Sequence, residues 1–344
     1  MESAISSLPS FDFTVHERTL LGDAASLALK LFPEWKSEDI ELTQLTEGIT
    51  NLLVLCRNKK LDIGVLIREY GKKSEYIIDR QRELFNTMEL AKYGLAQKIY
   101  CKFNNGIVYG YTEGSTVSPK VMCEEPMISF IPKALSMWHK APIAGDKVPS
   151  LFIILRNWVA NIPDTYEDPA KAEAFKANFS KEQILNEIDF MESEVNKIMP
   201  PVAFCHNDLL SGNILLNKNK DGVFLIDYEY GSYNYRGYDI ANHFCEFAGF
   251  ECDYSRYPDT EKQRKWLRKY LSYLHEVEES KVDEKEIEDL LYEVSIFENA
   301  SSLYWGIWSL IQANYSEIDF DYMSYAKLRF SRYYYTKKLT NFRK

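Results

Sequence analysis

The sequence predicts an α+β protein with a small, β-rich N-terminal lobe and a large, mainly helical C-terminal lobe. Its 344 residues fit two domains or lobes. Short segments rich in Leu, Val and Ile are typical of strands up to about residue 112, and helical periodicity dominates most of the remainder. We therefore divide the chain into residues 1–112 and 113–344, joined by a link near Tyr111–Gly114. This layout predicts a cleft between the lobes, where small-molecule sites tend to form.

The N-terminal lobe is predicted from hydrophobic segments and turn signals. Within residues 40–70, the segments IELTQL, NLLVLC and DIGVLIREY predict three strands, and a tight turn over residues 47–51 joins the first two. Residues 75–93 have the apolar spacing of an amphipathic helix, which Gly94 ends. Two further strand-like segments, KIYCKF and IVYGYT, flank Asn104-Asn105-Gly106, a strong hairpin signal.

The C-terminal lobe is predicted to be helical with one β insert. Residues 126–139 and 181–198 have helical patterns. The segments VAFCHND, NILLN and VFLIDYEY are short strand-like pieces linked by polar loops. From Tyr238 the pattern is helical almost to the end, with a break at Pro258.

Composition excludes several classes of protein. The formal charge of −10 disfavours sequence-independent binding to nucleic acid or to an anionic membrane, but it allows a small cationic substrate. No apolar run approaches the ~18 residues of a membrane span. The N-terminus lacks a signal-peptide pattern, and the six cysteines lack C-x-x-C spacing, so we expect a cytosolic protein with reduced thiols.

Two polar motifs follow strand-like segments and carry the chemistry. Asp208 and Asn213 lie in the motif CHNDLLSGN, and Asp227 ends the next strand, so we expect all three side chains at one edge of a small sheet. Phosphoryl transfer from a nucleotide needs a carboxylate that orients the attacking hydroxyl and accepts its proton, and oxygen ligands for Mg²⁺. His206-x-Asp208-x4-Asn213 followed by Asp227 resembles the catalytic loop and metal-binding Asp of protein-kinase-like enzymes. The alternative interpretation of the motif is a polar turn between strands with capping Asp and Asn side chains. We expect His206 to brace the loop through hydrogen bonds instead of acting as the base.

The N-terminal lobe would then supply a phosphate clamp. Gly48, Thr50 and Asn51 lie on the predicted turn between two strands, where backbone N–H groups can cover phosphates. Arg68 lies near the end of the third strand, at the place of the Lys that contacts the phosphates in protein kinases. Its partner on the following helix is predicted to be Glu83, although Arg80 or Arg82 could compete. A plain β-turn and a surface ion pair are the alternatives.

A third block, NYRGYDIANHFCEFAG over residues 234–249, identifies the chain as a member of the choline/ethanolamine kinase family, closest to the ethanolamine kinases. The resemblance covers about residues 40–335 and includes TEGITN, LIREYG, DYSRYP and YWGIWSLIQANYSEIDFDYMSYAKLRF. It implies a protein-kinase-like two-lobed fold, with ATP and Mg²⁺ as cofactors and an amino alcohol as substrate. Choline kinases of this family often form dimers, so the resemblance admits a homodimer, although the sequence shows no interface.

The resemblance also implies roles for individual residues. Asp208 would be the catalytic base, Asn213 and Asp227 would bind Mg²⁺, and Arg68 with the 48–51 turn would bind the ATP phosphates. Three further residues would brace the catalytic loop: Asp239, Asn242 and His243. Six residues fall where the family lines its amino-alcohol pocket: Tyr230, Glu246, Tyr254, Trp305, Trp308 and Tyr325.

The physics of an amino alcohol fits these pocket residues. A cationic headgroup favours aromatic faces and a carboxylate. Trp305 and Trp308 have i, i+3 spacing and share a helix face, which on spacing alone is more typical of core than of a cation cage. Glu246 lies in the apolar segment FCEFAGF, where a lone buried charge is costly, so it should face a cation or water.

The sequence favours ethanolamine over choline as substrate. Leu209-Leu210 and Phe247-Ala248-Gly249 look like ethanolamine kinases, whereas Cys245 matches the choline type. We expect an ethanolamine kinase that forms phosphoethanolamine, a reaction that is the first step of phosphatidylethanolamine synthesis. The alternative is a choline kinase or a dual choline/ethanolamine kinase, which would form phosphocholine. A phosphotransferase of the aminoglycoside class, a protein kinase and an inactive nucleotide-binding scaffold are competing hypotheses. The first would lack the third block, the second would need Gly-rich, His-Arg-Asp and Asp-Phe-Gly motifs, and the third would bind nucleotide without turnover.

Overall fold

The computed structural model describes residues 2–45, 52–71 and 78–342. The chain divides into two compact units. The first is Met1–Ser115 with Asn217–Asn219, and the second is Thr116–Leu216 with Lys220–Lys344. The first is β-rich and the second mainly helical, as the α+β prediction requires.

A six-stranded sheet forms the centre of the first unit. Its strands run in the order β1-β5-β6-β4-β3-β2, and all neighbours are antiparallel except the β1–β5 pair. The elements are α1 (Glu2–Ser6), β1 (Ser10–Phe11), α2 (Leu20–Leu31), β2 (Ile40–Leu45), β3 (Leu52–Asn58), β4 (Ile63–Glu69), α3 (Arg80–Lys92), β5 (Ile99–Phe103) and β6 (Gly106–Gly110). The three strands predicted over residues 40–70 and the β5–β6 hairpin are confirmed. The predicted turn over residues 47–51 lies outside the described residues.

Alternation along β4 positions Arg68. Val65 and Ile67 are buried in the core that includes residues of α2, β3 and β6. Successive strand residues point to opposite faces, so Arg68 lies on the other face, where α3 packs. Asp79 caps α3 by accepting hydrogen bonds from two backbone N–H groups of its first turn, and Gly94 follows the helix with a φ of +69°.

Helices dominate the second unit, and β7 (Gly114–Thr116) lies where the chain passes into it. The elements that follow are α4 (Met127–Lys140), α5 (Leu151–Asn161), α6 (Pro169–Asn178), α7 (Lys181–Ile198), β8 (Val202–Cys205), β9 (Ile214–Asn217), β10 (Val223–Leu225), β11 (Ser232–Tyr235), α8 (Arg236–Cys245), α9 (Thr260–His275), α10 (Glu284–Tyr315) and α11 (Tyr322–Leu339). The two helices predicted at 126–139 and 181–198 are confirmed, as is the break at Pro258. The 32-residue α10 packs against α5, α7, α8, α9 and α11.

The β insert of the second unit differs from the prediction. β8 pairs with β11, and β9 pairs with β10, so the strands that precede Asp208 and Asp227 belong to two different pairs. The prediction of one small sheet was wrong because the polar segment Ser232–Tyr235 returns beside β8 and pairs with it, Ser232 opposite Cys205. The two strand pairs meet through their loops instead of along one edge.

Cysteines and helix hydropathy were also considered in the sequence. All six cysteines are free, and four of them are buried: Cys56, Cys101, Cys205 and Cys245. Within the described ranges of the chain, no helix is both long enough and apolar enough to cross a bilayer.

Candidate active site

The loop after β8 is held by one buried carboxylate. Asp239, on α8, accepts the backbone N–H of His206 at 2.8 Å and that of Asn207 at 2.7 Å. His139, on α4, donates from Nε2 to Asp239 at 3.0 Å, while its Nδ1 lies 2.7 Å from the hydroxyl of Tyr270. Burial raises the pKa of Asp239, but the hydrogen bonds and electrostatic interactions with His139 and His206 together outweigh burial, and the pKa lies below its usual value. Asp239 therefore holds the loop as an ionised carboxylate.

His206 joins this loop to the segment that carries Asp227. Its Nε2 lies 2.9 Å from the carbonyl oxygen of Ile226, which can only accept, so Nε2 carries the proton. Burial lowers the pKa of His206, which keeps the ring neutral. The backbone N–H of Ile226 donates to the carbonyl oxygen of Asn213 at 2.9 Å, a second link between the two loops.

Asp208 is a buried carboxylate with one oxygen available for chemistry. Its residue surface is 7% exposed. Asn213 donates from Nδ2 to the carbonyl oxygen of Asp208 at 2.8 Å and to its Oδ2 at 3.0 Å. Among the described residues, Oδ1 of Asp208 has no hydrogen-bond partner. Burial, followed by the charges of Asp227, Glu246 and Glu229, raises the pKa of Asp208 well above its usual value, so Asp208 is a stronger proton acceptor than an exposed aspartate.

The residues around Asp208 fit a divalent cation. Asn213 uses its amide nitrogen on Asp208, which leaves its amide oxygen as a ligand. Asp227 follows β10 with a φ of +63°, and a carboxylate oxygen of Asp227 lies within 4.8 Å of one of Glu229. Carboxylate and amide oxygens are the hard ligands that Mg²⁺ prefers. Sequence reasoning missed Glu229, although its place two residues after Asp227 was a signal.

Three of the predicted pocket aromatics lie together. Trp308 donates from Nε1 to the hydroxyl of Tyr230 at 2.9 Å. The Tyr230 and Trp305 rings are 5.5 Å apart at 71°, and the two indoles are 5.5 Å apart at 78°. Trp305 donates from Nε1 to Oδ1 of Asn242 at 2.7 Å, and Asn242 donates to the carbonyl oxygen of Asn207 at 3.2 Å. The aromatic cluster is thus tied to the catalytic loop through one amide side chain.

The other three predicted pocket residues lie around arginines that sequence reasoning did not identify. Glu246 accepts a hydrogen bond from Arg329 at 2.9 Å. The guanidinium of Arg329 lies 5.6 Å from the Tyr325 ring centroid, and that of Arg332 lies 4.2 Å from the ring centroid of Tyr254. The prediction that Glu246 faces a cation is therefore met by a residue of the chain itself.

His243 supports the loop from a fully buried position. Its Nδ1 lies 2.9 Å from the carbonyl oxygen of Leu209. Burial lowers the pKa of His243 to about 4, so the ring is neutral and Nδ1 carries the proton given to that carbonyl. Asp239, Asn242 and His243 therefore all contact the loop from one helix.

In the first unit, Arg68 pairs with Glu83. Arg68 Nη1 lies 2.9 Å from Glu83 Oε1, and the two residues are only 6% and 3% exposed. Arg80 also reaches Glu83, with its Nη1 2.8 Å from Oε2, so Glu83 holds two arginines. The other residues of the predicted clamp, Gly48, Thr50 and Asn51, lie outside the described residues.

Comparison with known proteins places this site in a known family. The family model described as choline/ethanolamine kinase matches residues 42–334. A probable ethanolamine kinase A of Dictyostelium discoideum is 38% identical over 335 residues, covering 95% of each chain. Ethanolamine kinase 1 of Mus musculus is 38% identical over 340 residues, covering 96% of this chain and 94% of the other.

Solved structures agree on the fold. An ethanolamine kinase of Plasmodium vivax superposes with a TM-score of 0.81 at 28% identity, covering 93% of this chain and 89% of the other. A type I macrolide 2'-phosphotransferase superposes with a TM-score of 0.54 at 15% identity, covering 92% of this chain and 98% of the other. The second likeness concerns the fold alone, and it agrees with the predicted protein-kinase-like architecture.

Proposed function

The chain belongs to the choline/ethanolamine kinase family, and we propose that it transfers the terminal phosphoryl group of ATP to the hydroxyl of ethanolamine. The products would be phosphoethanolamine and ADP. The observation that carries this proposal is the environment of Asp208, a buried carboxylate of raised pKa with its Oδ1 unbonded among the described residues. The names of the relatives that are 38% identical over nearly the whole chain support ethanolamine as the substrate.

Asp208 would act as the general base. Its Oδ1 would accept a hydrogen bond from the alcohol, orient the attacking oxygen and take the proton as the bond to phosphorus forms. Asn213 fixes Oδ2 and the backbone carbonyl, so the carboxylate cannot rotate freely. Asp239 fixes the preceding two backbone N–H groups, so the base is held in place before substrate arrives.

Asn213 and Asp227 would hold Mg²⁺, with Glu229 beside them. The bound ion would neutralise charge on the phosphates. These side chains belong to two loops that are joined by hydrogen bonds to the backbone of Ile226. Their relative positions would therefore be fixed by the backbone as well as by the bound ion.

Arg68 would bind the ATP phosphates together with the Gly48, Thr50 and Asn51 turn. A guanidinium keeps its charge and can donate two parallel hydrogen bonds to phosphate oxygens. The ion pair with Glu83 supports this role because it fixes the direction of the buried Arg68 side chain. Residues 1–112 would then handle the nucleotide phosphates, and residues 113–344 the catalysis and the alcohol.

The ammonium group would lie against the aromatic cluster and Glu246. The Trp305 ring lies at 71° to that of Tyr230 and at 78° to that of Trp308, and the faces of such rings would attract a cation. Glu246 would accept hydrogen bonds from a primary ammonium, which carries N–H donors that a trimethylammonium lacks. Tyr254 and Tyr325 would lie beside the Glu246 carboxylate and line the same pocket.

Choline kinase, or a dual kinase, is the second candidate because Cys245 matches the choline type of the family. A cytosolic location, a homodimer and entry of the product into phosphatidylethanolamine synthesis complete the proposal on the strength of the family resemblance.

The test is a side-by-side measurement of kcat/KM for ethanolamine and choline with ATP and Mg²⁺. We expect the value for ethanolamine to be the larger, and turnover to stop when EDTA removes the metal. A choline value equal to or above that for ethanolamine would favour the second candidate. ATP binding without turnover of either alcohol would identify a scaffold and reject the enzyme.

A further inference from the structure

Arg329 is a fully buried cation beside the carboxylate that would bind the ammonium group. Its side chain is 0% exposed, and its Nη2 donates to Glu246 Oε1 at 2.9 Å. Arg329 lies on α11, whereas Glu246 follows the last residue of α8, so the ion pair joins two helices.

We propose that Arg329 is a positioning residue for the alcohol substrate, because its buried ion pair fixes the direction of the Glu246 carboxylate. This role rests on the proposed function. Glu246 is 6% exposed, and a buried carboxylate is costly unless it is paired and hydrogen-bonded. The ion pair with Arg329 supplies that partner and sets the orientation of the carboxylate that the ammonium group would meet.

The chemistry of the arginine side chain suits this positioning role. A guanidinium stays protonated in proteins and is planar, so its charge beside Glu246 is permanent and its hydrogen-bond direction is fixed. The Arg329 guanidinium also lies 5.6 Å from the Tyr325 ring centroid, which helps to hold it in place. The ion pair engages Oε1, so Oε2 would be the oxygen that accepts a hydrogen bond from the substrate.

The decisive variants are Arg329→Gln, which removes the charge but keeps a donor, and Arg329→Lys, which keeps the charge. Steady-state kinetics would give KM for ethanolamine, KM for ATP and kcat. We expect Arg329→Gln to raise KM for ethanolamine about tenfold or more, with KM for ATP unchanged. Arg329→Lys should recover part of this loss, because it keeps a charged donor beside Glu246.

Lys337→Met is the matched control, because it removes another ion pair of α11. Lys337 pairs with Glu187 on α7. We expect its KM for ethanolamine to equal that of the unaltered chain. Arg329→Met provides a second neutral variant if thermal unfolding shows that Arg329→Gln does not fold.

The outcomes separate this role from the proposed function. A wild-type chain that does not phosphorylate ethanolamine would overturn both. An active wild-type chain beside a folded, neutral Arg329 variant with unchanged KM for ethanolamine, or with KM for ethanolamine and KM for ATP raised equally, would overturn the role of Arg329 alone.

Discussion

At the scale of single residues, Asp208 lowers the stability of the folded protein when it is ionised, and the same environment makes it a strong proton acceptor. Burial and the neighbouring carboxylates make its ionised form unfavourable, as its raised pKa shows. A carboxyl group whose folded pKa is raised stabilises the fold when it is protonated at low pH and loses that contribution as pH rises through the folded pKa. The ionised form of Asp208 therefore opposes folding, which is typical of a residue kept for its chemistry.

We expect Asp208→Asn to lower kcat by about 10²–10⁴-fold, the usual contribution of a positioned base, because an amide cannot accept the proton. ATP binding should persist, and Tm should not fall, since the substitution removes one charge from a crowded acidic site. The measurements are steady-state kinetics, ATP titration and thermal unfolding.

Asp259→Asn is a suitable control for this substitution, because Asp259 is an exposed N-cap of α9. It should leave kcat unchanged. Retention of full activity by Asp208→Asn would remove Asp208 from the mechanism.

Residues with a local pattern could be predicted from sequence, and those whose partners are distant could not. Asp208 and Asn213 are five residues apart, and the structure joins their side chains as expected. Arg329 lies 83 residues from Glu246, and His139 lies 100 residues from Asp239. Nothing in the local sequence of α4 or α11 indicates which buried carboxylate each one meets.

At the scale of elements, α8 acts as the support of the catalytic loop. Asp239, Asn242 and His243 have i, i+3, i+4 spacing, so they share one helix face. Asp239 contacts the backbone of His206 and Asn207, while the other two reach the carbonyl oxygens of Asn207 and Leu209. A single helix therefore holds the backbone of the loop on both sides of Asp208, at His206 and Asn207 before it and at Leu209 after it.

Asp239→Asn should disturb this support without touching the substrate. An asparagine has one acceptor oxygen for the two backbone N–H groups that Asp239 now accepts, so one of them would lose its partner. We expect kcat to fall about 10–100-fold through misplacement of Asp208, with KM for ATP nearly unchanged. The Asp259→Asn variant again serves as control, and a kcat within experimental error of the wild-type value would contradict the role of α8.

The elements that sequence patterns predicted are those whose burial alternates or repeats clearly. β3 and β4 alternate between buried and less buried residues, and both were predicted. β11 was not, because its segment SYNY is polar and yet buried at three of four positions, with partners on β8. α2 was also missed, although its buried residues Leu20, Ala24, Leu27 and Ala28 follow helical spacing and were a usable signal.

At the scale of the whole molecule, buried histidines make stability depend on pH. The folded pKa of His243 is about 4, below the ordinary value of 6.5. Below pH 6.5 the unfolded chain takes up a proton at this residue while the folded chain does not, so its contribution to stability is lost as pH falls from about 6.5 towards 4. We expect His243 to lower the free energy of unfolding by about 2 kcal/mol between pH 7 and pH 5.

Denaturant unfolding of the wild-type chain and of His243→Gln at both pH values would measure this effect, since the glutamine can still donate to the Leu209 carbonyl but does not titrate. The difference between the two chains should shrink as pH falls. His16→Gln, at a side chain that is 66% exposed, is the control and should show no such trend. Parallel pH profiles for the wild-type and His243→Gln chains would contradict the prediction.

The anchoring of the His206 and Asn207 amides on Asp239 has a consequence for how the molecule opens. These N–H groups belong to a loop, yet their acceptor lies in a helix that packs against the long α10. They can exchange with solvent only when that packing opens, so they should be protected like amides of a core strand. Melting of the catalytic loop and global unfolding of the second unit would then be one cooperative event, with no partly melted form in which that loop alone is released.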